Sequence, residues 1–416
     1  MLSEERNRLL TEIGPGTPLG QLMRCYWIPV LRSQQLIAGD APHRFKILGE
    51  NFVAYRSPEG EVGIVDEACP HRGASLSLGH NEPGGLRCVY HGWKFSPSCD
   101  LLDAPTHPKD TDLTSLRTGC HPVHEAQGII WVWLGEGEPP PMRKLAFSDL
   151  PDDQVVAVTV KSSCGWLQPL ETLWDVFHAQ ILHNQTNRGS RRGGVYFSAS
   201  GRTMDNGLEY DYPEMHADST SYGMKYMNVD AAKRTHFRFI LPFFDHHALE
   251  PGEFSDKGLQ ISVPIDDDNC LLWMVMYNRH APLKPDGFAL QSIEGSPDLT
   301  DFVAHMGPRT AENRWGQKRE LIASGDSWSG VPDCSLLVRI FLEDPMVIES
   351  QGRPDRSKED IGITDRALVL GRKRVLEAIE AVQRGEPAPG LTEDLTDVEA
   401  LFEPQEQQGA KASYLD

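Results

Sequence analysis

Long apolar runs are missing from this chain. The longest, such as Leu271–Tyr277, fall far short of the roughly 20 residues that a helix needs to span a bilayer. The opening MLSEERNRLLTEIG is charged and polar, without the apolar stretch and cleavage site of a secretion signal. Positive charge is also scarce. Lys and Arg number 40 against 60 Asp and Glu, for a formal net charge of -20. That balance argues against nucleic acid, which demands clustered cations. Any anionic ligand must then meet a locally basic site against the overall field. Cysteine is limited to eight scattered residues, and with no secretion signal a disulfide framework is not expected. No flavin or nicotinamide fingerprint is found, because Gly189–Gly194 lacks the strand–turn–helix setting of a dinucleotide site. The expectation is a cytoplasmic protein with neither membrane nor nucleic acid as partner.

What is present suffices for two folded units, since 416 residues exceed the roughly 250–300 at which one core stops growing. Residues 1–29 read as a polar helical arm, capped at Ser3 and stopped by Gly14-Pro15-Gly16. Residues 30–150 show short alternating runs: Arg44–Leu48, Phe52–Arg56, Val62–Asp66 and Gly128–Leu134. Turn signals separate them, as in a small antiparallel β unit. GEGEPPP at 135–141 is a linker, because three prolines continue neither a helix nor a central strand.

In residues 151–385, Val155–Lys161 reads as a strand and Gln168–His183 as a helix. Further strand-like runs are Val195–Ser200, Phe237–Leu241, Leu259–Val263 and Cys270–Tyr277, with helical patterns near Leu299–Ile322 and Thr364–Gln383. Residues 386–416, rich in Pro, Glu and Gln, are expected to be only partly ordered. The fold class is α+β: a β-rich domain, then a larger domain of antiparallel sheet and helices.

Two constellations carry chemistry. The first is C-x-H at Cys69 and His71, followed by C-x2-H at Cys88 and His91. Each arm supplies one thiolate and one imidazole. That suits a [2Fe–2S] cluster with both cysteines on one iron and both histidines on the other. Zinc accepts the same four ligands but usually pairs Cys with Cys and His with His.

The second lies in LQPLETLWDVFHAQILH at 167–183. His178 and His183, with a carboxylate, would make the facial triad of non-haem Fe(II) oxygenases, with positions left open for O2. Five residues apart, they stand about 140° apart around an ideal helix, so the helix must be distorted or broken between them. Asp175, one turn before His178, could take its ring N–H and fix its tautomer.

CPHRG at 69–73 and CVYHGWKF at 88–95 resemble the Rieske signature of ring-hydroxylating oxygenases. Gly14–Pro18 and RCYWIP at 24–29 are similar to the phthalate 4,5-dioxygenase group, which includes aryl-ether O-demethylases. The likeness extends through Gly325–Glu377 and is looser between about 186 and 300.

The resemblance implies a [2Fe–2S] cluster, a mononuclear Fe(II) and a homotrimer in which one subunit's cluster faces the next subunit's iron. It implies oxidation of an aromatic, carboxylated substrate by O2, through cis-dihydroxylation or O-demethylation. A Rieske electron carrier without oxygenase chemistry is the alternative. In FLEDPMVIESQG at 341–352, Asp344 matches the third iron ligand, with Glu343 and Glu349 as competitors. Pro345 departs from the usual flanks. Asp175 matches the acid that bridges the two metal sites, and Glu171 a nearby supporting acid.

Arg234, His236 and Arg238 alternate along a strand-like run, so they share one face. They are candidates for holding a substrate carboxylate, as arginines do in the phthalate group. Electrons must come from a separate NAD(P)H-dependent ferredoxin or flavin reductase. Arg72, Arg87 and Lys94 flank the cluster loops as a candidate landing patch.

Overall fold

The computed structural model describes residues 2–108, 111–113, 115–183, 202–203, 209–210, 214–229, 233–247, 257–283, 309–332 and 336–404. Two capped helices open the chain. Ser3 accepts the Arg6 N–H to start α1 (Glu4–Thr11), and Thr17 accepts the Gly20 N–H to start α2 (Pro18–Arg24). Eleven short strands follow: β1 (Trp27–Arg32), β2 (His43–Ile47), β3 (Glu50–Arg56), β4 (Val62–Asp66), β5 (His80–Glu82), β6 (Gly85–Arg87), β7 (Lys94–Phe95), β8 (Leu101–Asp103), β9 (Cys120–His121), β10 (Val123–Ala126) and β11 (Ile129–Trp133). They form three antiparallel sheets, ordered β1-β11-β10, β2-β3-β4-β9 and β5-β6-β7-β8.

Strand β3 shows how alternation builds two cores at once. Phe52 and Ala54 point into the main core of the molecule, whereas Val53 and Tyr55 point into a smaller one. That smaller core holds Cys69, Cys88, Trp93 and Phe95.

The second region opens with β12 (Val155–Ser162), α3 (Leu167–Trp174) and α4 (His178–Leu182). A two-stranded ribbon, β13 (Arg202–Thr203) with β14 (Glu209–Tyr210), comes next. Then come β15 (Glu214–Ser219), β16 (Gly223–Val229), β17 (Lys233–Ile240), β18 (Phe244–His247), β19 (Lys257–Asp266) and β20 (Asn269–Tyr277). Helices α5 (Arg319–Ser324), α6 (Leu336–Ser350) and α7 (Arg366–Gln383), with β21 (Leu401–Pro404), complete the chain. The large antiparallel sheet runs β12-β20-β19-β18-β17-β16-β15, and β21 adds on to β17. No described helix is long and apolar enough to cross a membrane.

Several expectations need correction. The opening helices are no polar arm: Leu10, Ile13, Leu19, Leu22 and Met23 are fully buried in the main core, and both helices pack on α7. Their polar residues cover only the outer side. Gln168–His183 is not one helix, because the chain breaks at Asp175. Of the pattern near Leu299–Ile322, residues 299–308 lie outside the described residues, and 309–322 hold a 3-10 turn and the start of short α5. Val195–Ser200 also lies outside them. Of the tail expected to be partly ordered, residues 386–404 are described, with Leu395 and Ala400 buried, and 405–416 lie outside the described residues. Cys99 and Cys120 are joined by a disulfide, against the compartment-based expectation, because a turn of the chain and β9 set the two sulfurs side by side.

Candidate metal centres

The cluster-type ligands sit on two loops with the same backbone wiring. The Cys69 N–H donates to Ala74 O at 2.8 Å, and the Gly73 N–H to Cys69 O at 2.8 Å. In the second loop the Cys88 N–H donates to Trp93 O at 2.8 Å, and the Gly92 N–H to Cys88 O at 3.0 Å. Gly73 and Gly92 close these turns in the left-handed region, at φ of 74° and 76°. The two sulfurs are buried side by side at the base, and burial pushes the Cys69 thiol up to about 11. At the outer end the His71 and His91 rings meet edge to face, 4.3 Å apart, and His71 stacks flat on Trp93 at 4.6 Å. His71 Nδ1 is buried with no hydrogen-bond partner, a lone nitrogen that a metal would satisfy. Among the described residues, the group whose donor atoms converge within 4.8 Å of one another lies elsewhere. These four therefore do not meet at one point, as a tetrahedral zinc requires. Two cysteines at one end and two histidines at the other fit a two-iron cluster.

The convergent group is His178, His183 and Asp344. The helix break that places it falls before His178, not between the histidines as the helical geometry suggested. Asp175 leaves helical conformation at φ -94°, ψ 88°, and its Oδ1 accepts the N–H groups of Phe177 (3.0 Å) and His178 (3.4 Å). The histidines then stand at the two ends of the one-turn α4, with ring centroids 5.4 Å apart. His178 Nδ1 donates to the Asp175 carbonyl. The partner is thus the backbone oxygen, while the carboxylate expected in that role caps the turn; its Oδ2 stays 3.9 Å from Nδ1. His183 Nδ1 donates to Glu343 Oε2 at 2.6 Å, and Glu343 in turn accepts from the Ser329 hydroxyl. With both Nδ1 atoms so engaged, both Nε2 atoms face Asp344 Oδ1, at 3.5 Å for His178 and 3.0 Å for His183.

Electrostatics agree with that geometry. Burial alone would lower the His183 pKa, but Asp344 and then Glu343 more than reverse it and lift it to about 9. Burial opposes ionisation of Asp344, yet His183 and then His178 hold its carboxyl well below the usual range. Asp344 Oδ1 is buried without a hydrogen bond of good geometry, as befits an atom aimed at a cation. Pro345 sits inside α6 directly after Asp344 and brings no N–H to the helix ladder. Of the competing acids, Glu343 backs His183, and Glu349 takes a two-point contact from Arg309 (2.7 and 2.6 Å) plus the Ser162 hydroxyl. Glu343 was visible in the sequence only as a rival ligand; its role behind His183, and that of Ser329, had no sequence signal.

Other candidates fall elsewhere. Glu171, read as a supporting acid, has a structural setting. It is buried in a clamp, with Arg356 on both oxygens and Arg372 on Oε1, each at 2.7 Å. Burial would raise its pKa, but the two arginines hold it below the ordinary value. Arg234, His236 and Arg238 share a face of β17, the one turned away from α3. Phe239 meets Trp174 of α3 edge to face at 4.8 Å, and Tyr226 stacks on Phe237. The odd-numbered side of β17 therefore faces the iron-site helix, and the three candidates point away from it. His236 Nε2 lies 3.1 Å from Glu403 on β21. Arg87 is paired with Glu82 and Asp103, and Lys94 with Glu82, so those cations are spent within the loop. Arg72 lies over the Tyr90 ring.

A cleft of about 520 Å³ opens beside the convergent group, lined by Asp175, His178, Asp344 and Val347 among others.

Comparison with known proteins bears on both regions. Residues 26–120 match the Rieske [2Fe-2S] domain family, and residues 132–403 match the family described as LigXa C-terminal domain like. The chain is 33% identical over 412 residues to the 3-chlorobenzoate-3,4-dioxygenase oxygenase subunit of Comamonas testosteroni, covering 93% of this chain and 91% of that one. It is 26% identical to the 5,5'-dehydrodivanillate O-demethylase oxygenase subunit of Sphingobium sp. (strain NBRC 103272 / SYK-6), covering 95% and 84%. Its fold resembles a carbazole 1,9a-dioxygenase oxygenase solved in complex with ferredoxin, at TM-score 0.58 and 18% identity, covering 92% and 96%. A bare electron carrier would leave the second region and its ligand group without purpose. The chain belongs to the Rieske non-haem iron oxygenases and is the oxygenase component of such a system, with a [2Fe–2S] cluster and a mononuclear iron.

Proposed function

We propose that this oxygenase oxidises an aromatic carboxylate, with the cluster held by Cys69, His71, Cys88 and His91 and the mononuclear iron by His178, His183 and Asp344. The observation that carries the iron assignment is the convergence of those three side chains within 4.8 Å, each histidine turning its Nε2 toward Asp344 Oδ1. When bound, the iron supplies O2 activation and the cluster supplies electrons. The chain's own residues hold and orient. Asp175 O and Glu343 keep the protons on Nδ1, and Asp344 contributes the single anionic ligand. The substrate class rests on two relatives named for aromatic carboxylates, 3-chlorobenzoate and 5,5'-dehydrodivanillate.

The assembly we propose is a homotrimer in which a second copy's cluster tip enters the cleft beside Asp175. Val89 and Tyr90 stand exposed at that tip, 48% and 54% accessible, and Val347 is exposed at the cleft. Charge favours the fit. Arg372 at the cleft is already engaged by Glu171 and Glu359, and Asp355 by Lys358, leaving Asp175 to meet Arg72 and the tip histidines. By the same argument the cleft repels an anionic substrate, which must reach the iron from its other side. Electrons come from a separate NAD(P)H-dependent ferredoxin or flavin reductase in the cytoplasm.

Single-turnover product analysis tests this. The reduced protein is exposed to O2 with aromatic acids bearing or lacking methoxy groups. A cis-dihydrodiol identifies a ring dioxygenase, formaldehyde with a phenol identifies an O-demethylase, and neither product from any acid overturns the substrate class.

A further inference from the structure

Beneath the iron-site helix lies a buried acid with no cation against it among the described residues. Asp245 on β18 is fully buried. Trp174 Nε1 donates to its Oδ2 at 3.0 Å, and Tyr226 Oη lies 2.9 Å from its Oδ1. Burial raises its pKa well above the ordinary value, against the smaller pull of those two neutral groups. Tyr226 Oη also lies 3.3 Å from Leu173 O. A hydroxyl has one hydrogen, so Tyr226 cannot donate fully to both. Leu173 O belongs to the last turn of α3, whose carbonyls lack partners within the helix. The N–H four residues on, that of Phe177, is already given to Asp175 Oδ1. With Tyr226 donating to that carbonyl, the 2.9 Å contact is completed by a proton on Asp245. With Asp245 protonated, as burial favours, the chain runs Asp245 O–H to Tyr226, Tyr226 O–H to Leu173 O, and Trp174 N–H to Asp245; with it ionised, Tyr226 donates to Asp245 Oδ1 instead.

Both ends of this chain grip the last two residues of α3. Trp174 is further confined by Phe239 and by Gly371 of α7, where an added Cβ would lie 2.5 Å from the indole. The next residue is Asp175, whose carbonyl receives the His178 ring proton.

We propose that Asp245 is a positioning residue for the mononuclear iron, a neutral carboxylic acid that locks the end of α3. The Asp175 carbonyl then holds His178 in the orientation and tautomer that leave Nε2 free. This rests on the reading of His178 as an iron ligand.

The test compares Asp245→Asn, Asp245→Leu, Trp174→Phe and His178→Ala as holoenzymes. Release of mononuclear iron to a chelator and the EPR signal of the ferrous nitric oxide adduct are the readouts, with the cluster's EPR signal as internal control. Asparagine can donate to Tyr226 and accept from Trp174, so Asp245→Asn should release iron at the native rate with a native adduct signal. Asp245→Leu should release iron about 10–100-fold faster, with a broadened adduct signal and an unchanged cluster. Trp174→Phe keeps the ring, removes one donor and should accelerate release to a smaller degree; it decides the matter if Asp245→Leu fails to fold. Native release and a native signal in Asp245→Leu, or in Trp174→Phe where that one is decisive, overturn the proposal. Asp245→Asn as damaged as Asp245→Leu overturns the neutral acid. Mononuclear iron retained by His178→Ala overturns the underlying ligand reading instead.

Discussion

The two metal sites are built in opposite ways. The proposed cluster ligands lie between Cys69 and His91, on two loops that repeat one hydrogen-bond pattern and rest on a small core of their own. At the iron site, His183 meets Glu343 across 160 residues of sequence, and α3, α4 and α6 are aligned by the main core. The first site is a property of loops. The second is a property of packing: apart from the Asp175 carbonyl behind His178, the partners come from distant parts of the chain. Damage to one site should therefore be separable from damage to the other.

The largest expected effect comes from Asp344→Ala. Oxygenation should cease and iron content fall from about three to about two per chain, with the cluster's visible spectrum intact. Loss of the cluster as well would break the comparison.

Next is Glu171→Ala, which leaves Arg356 and Arg372 buried without their shared anion. A cost of about 3–5 kcal/mol is expected, read as iron-site loss at lower denaturant than cluster bleaching. Glu171 also gives that region an acid limit. Its folded pKa is depressed, so its contribution is present above the unfolded value near 4.5 and is lost as pH falls below it. Melting temperature should drop on that acid side in the native protein and change less with pH in Glu171→Gln.

A smaller change is expected from Glu343→Gln, which keeps the shape behind His183 and removes the charge. Iron affinity should fall about 10–100-fold, measured by chelator competition, with cluster content unaltered.

The mildest test lies in the loops. Gly73→Ala and Gly92→Ala each force a side chain into the left-handed region, at about 1–2 kcal/mol. At Gly92 the new Cβ would also lie 2.7 Å from Pro105, whereas at Gly73 it meets nothing within 4 Å. Cluster retention on heating should suffer more in Gly92→Ala, and equal loss would show that backbone strain alone governs these turns.

How much was legible follows the same division. Strands Val62–Asp66 and Cys270–Tyr277 were readable because alternation and apolar runs are local. The Ser3 cap and the two Cys-His loops were readable for the same reason. The break at Asp175 was half visible: two histidines five apart demanded a distortion, but only the Asp175 carboxylate, capping the next turn, put it ahead of His178. Arg234, His236 and Arg238 were rightly read as sharing a face, and nothing local says which face of a strand meets a helix.

By itself, the sequence determined the paired Cys-His loop motifs, the two histidines of the second constellation and the α+β order, because spacing within one loop or element is set by backbone geometry. Tertiary structure alone decided that Asp344 rather than Glu343 or Glu349 faces the histidines. It alone made Glu171 a structural anion, spent Arg87 and Lys94 on neighbouring acids, and set Asp245 beneath Trp174. The physical reason is that a side chain's direction is fixed by its own element, but its partner is fixed by which elements the core packs together.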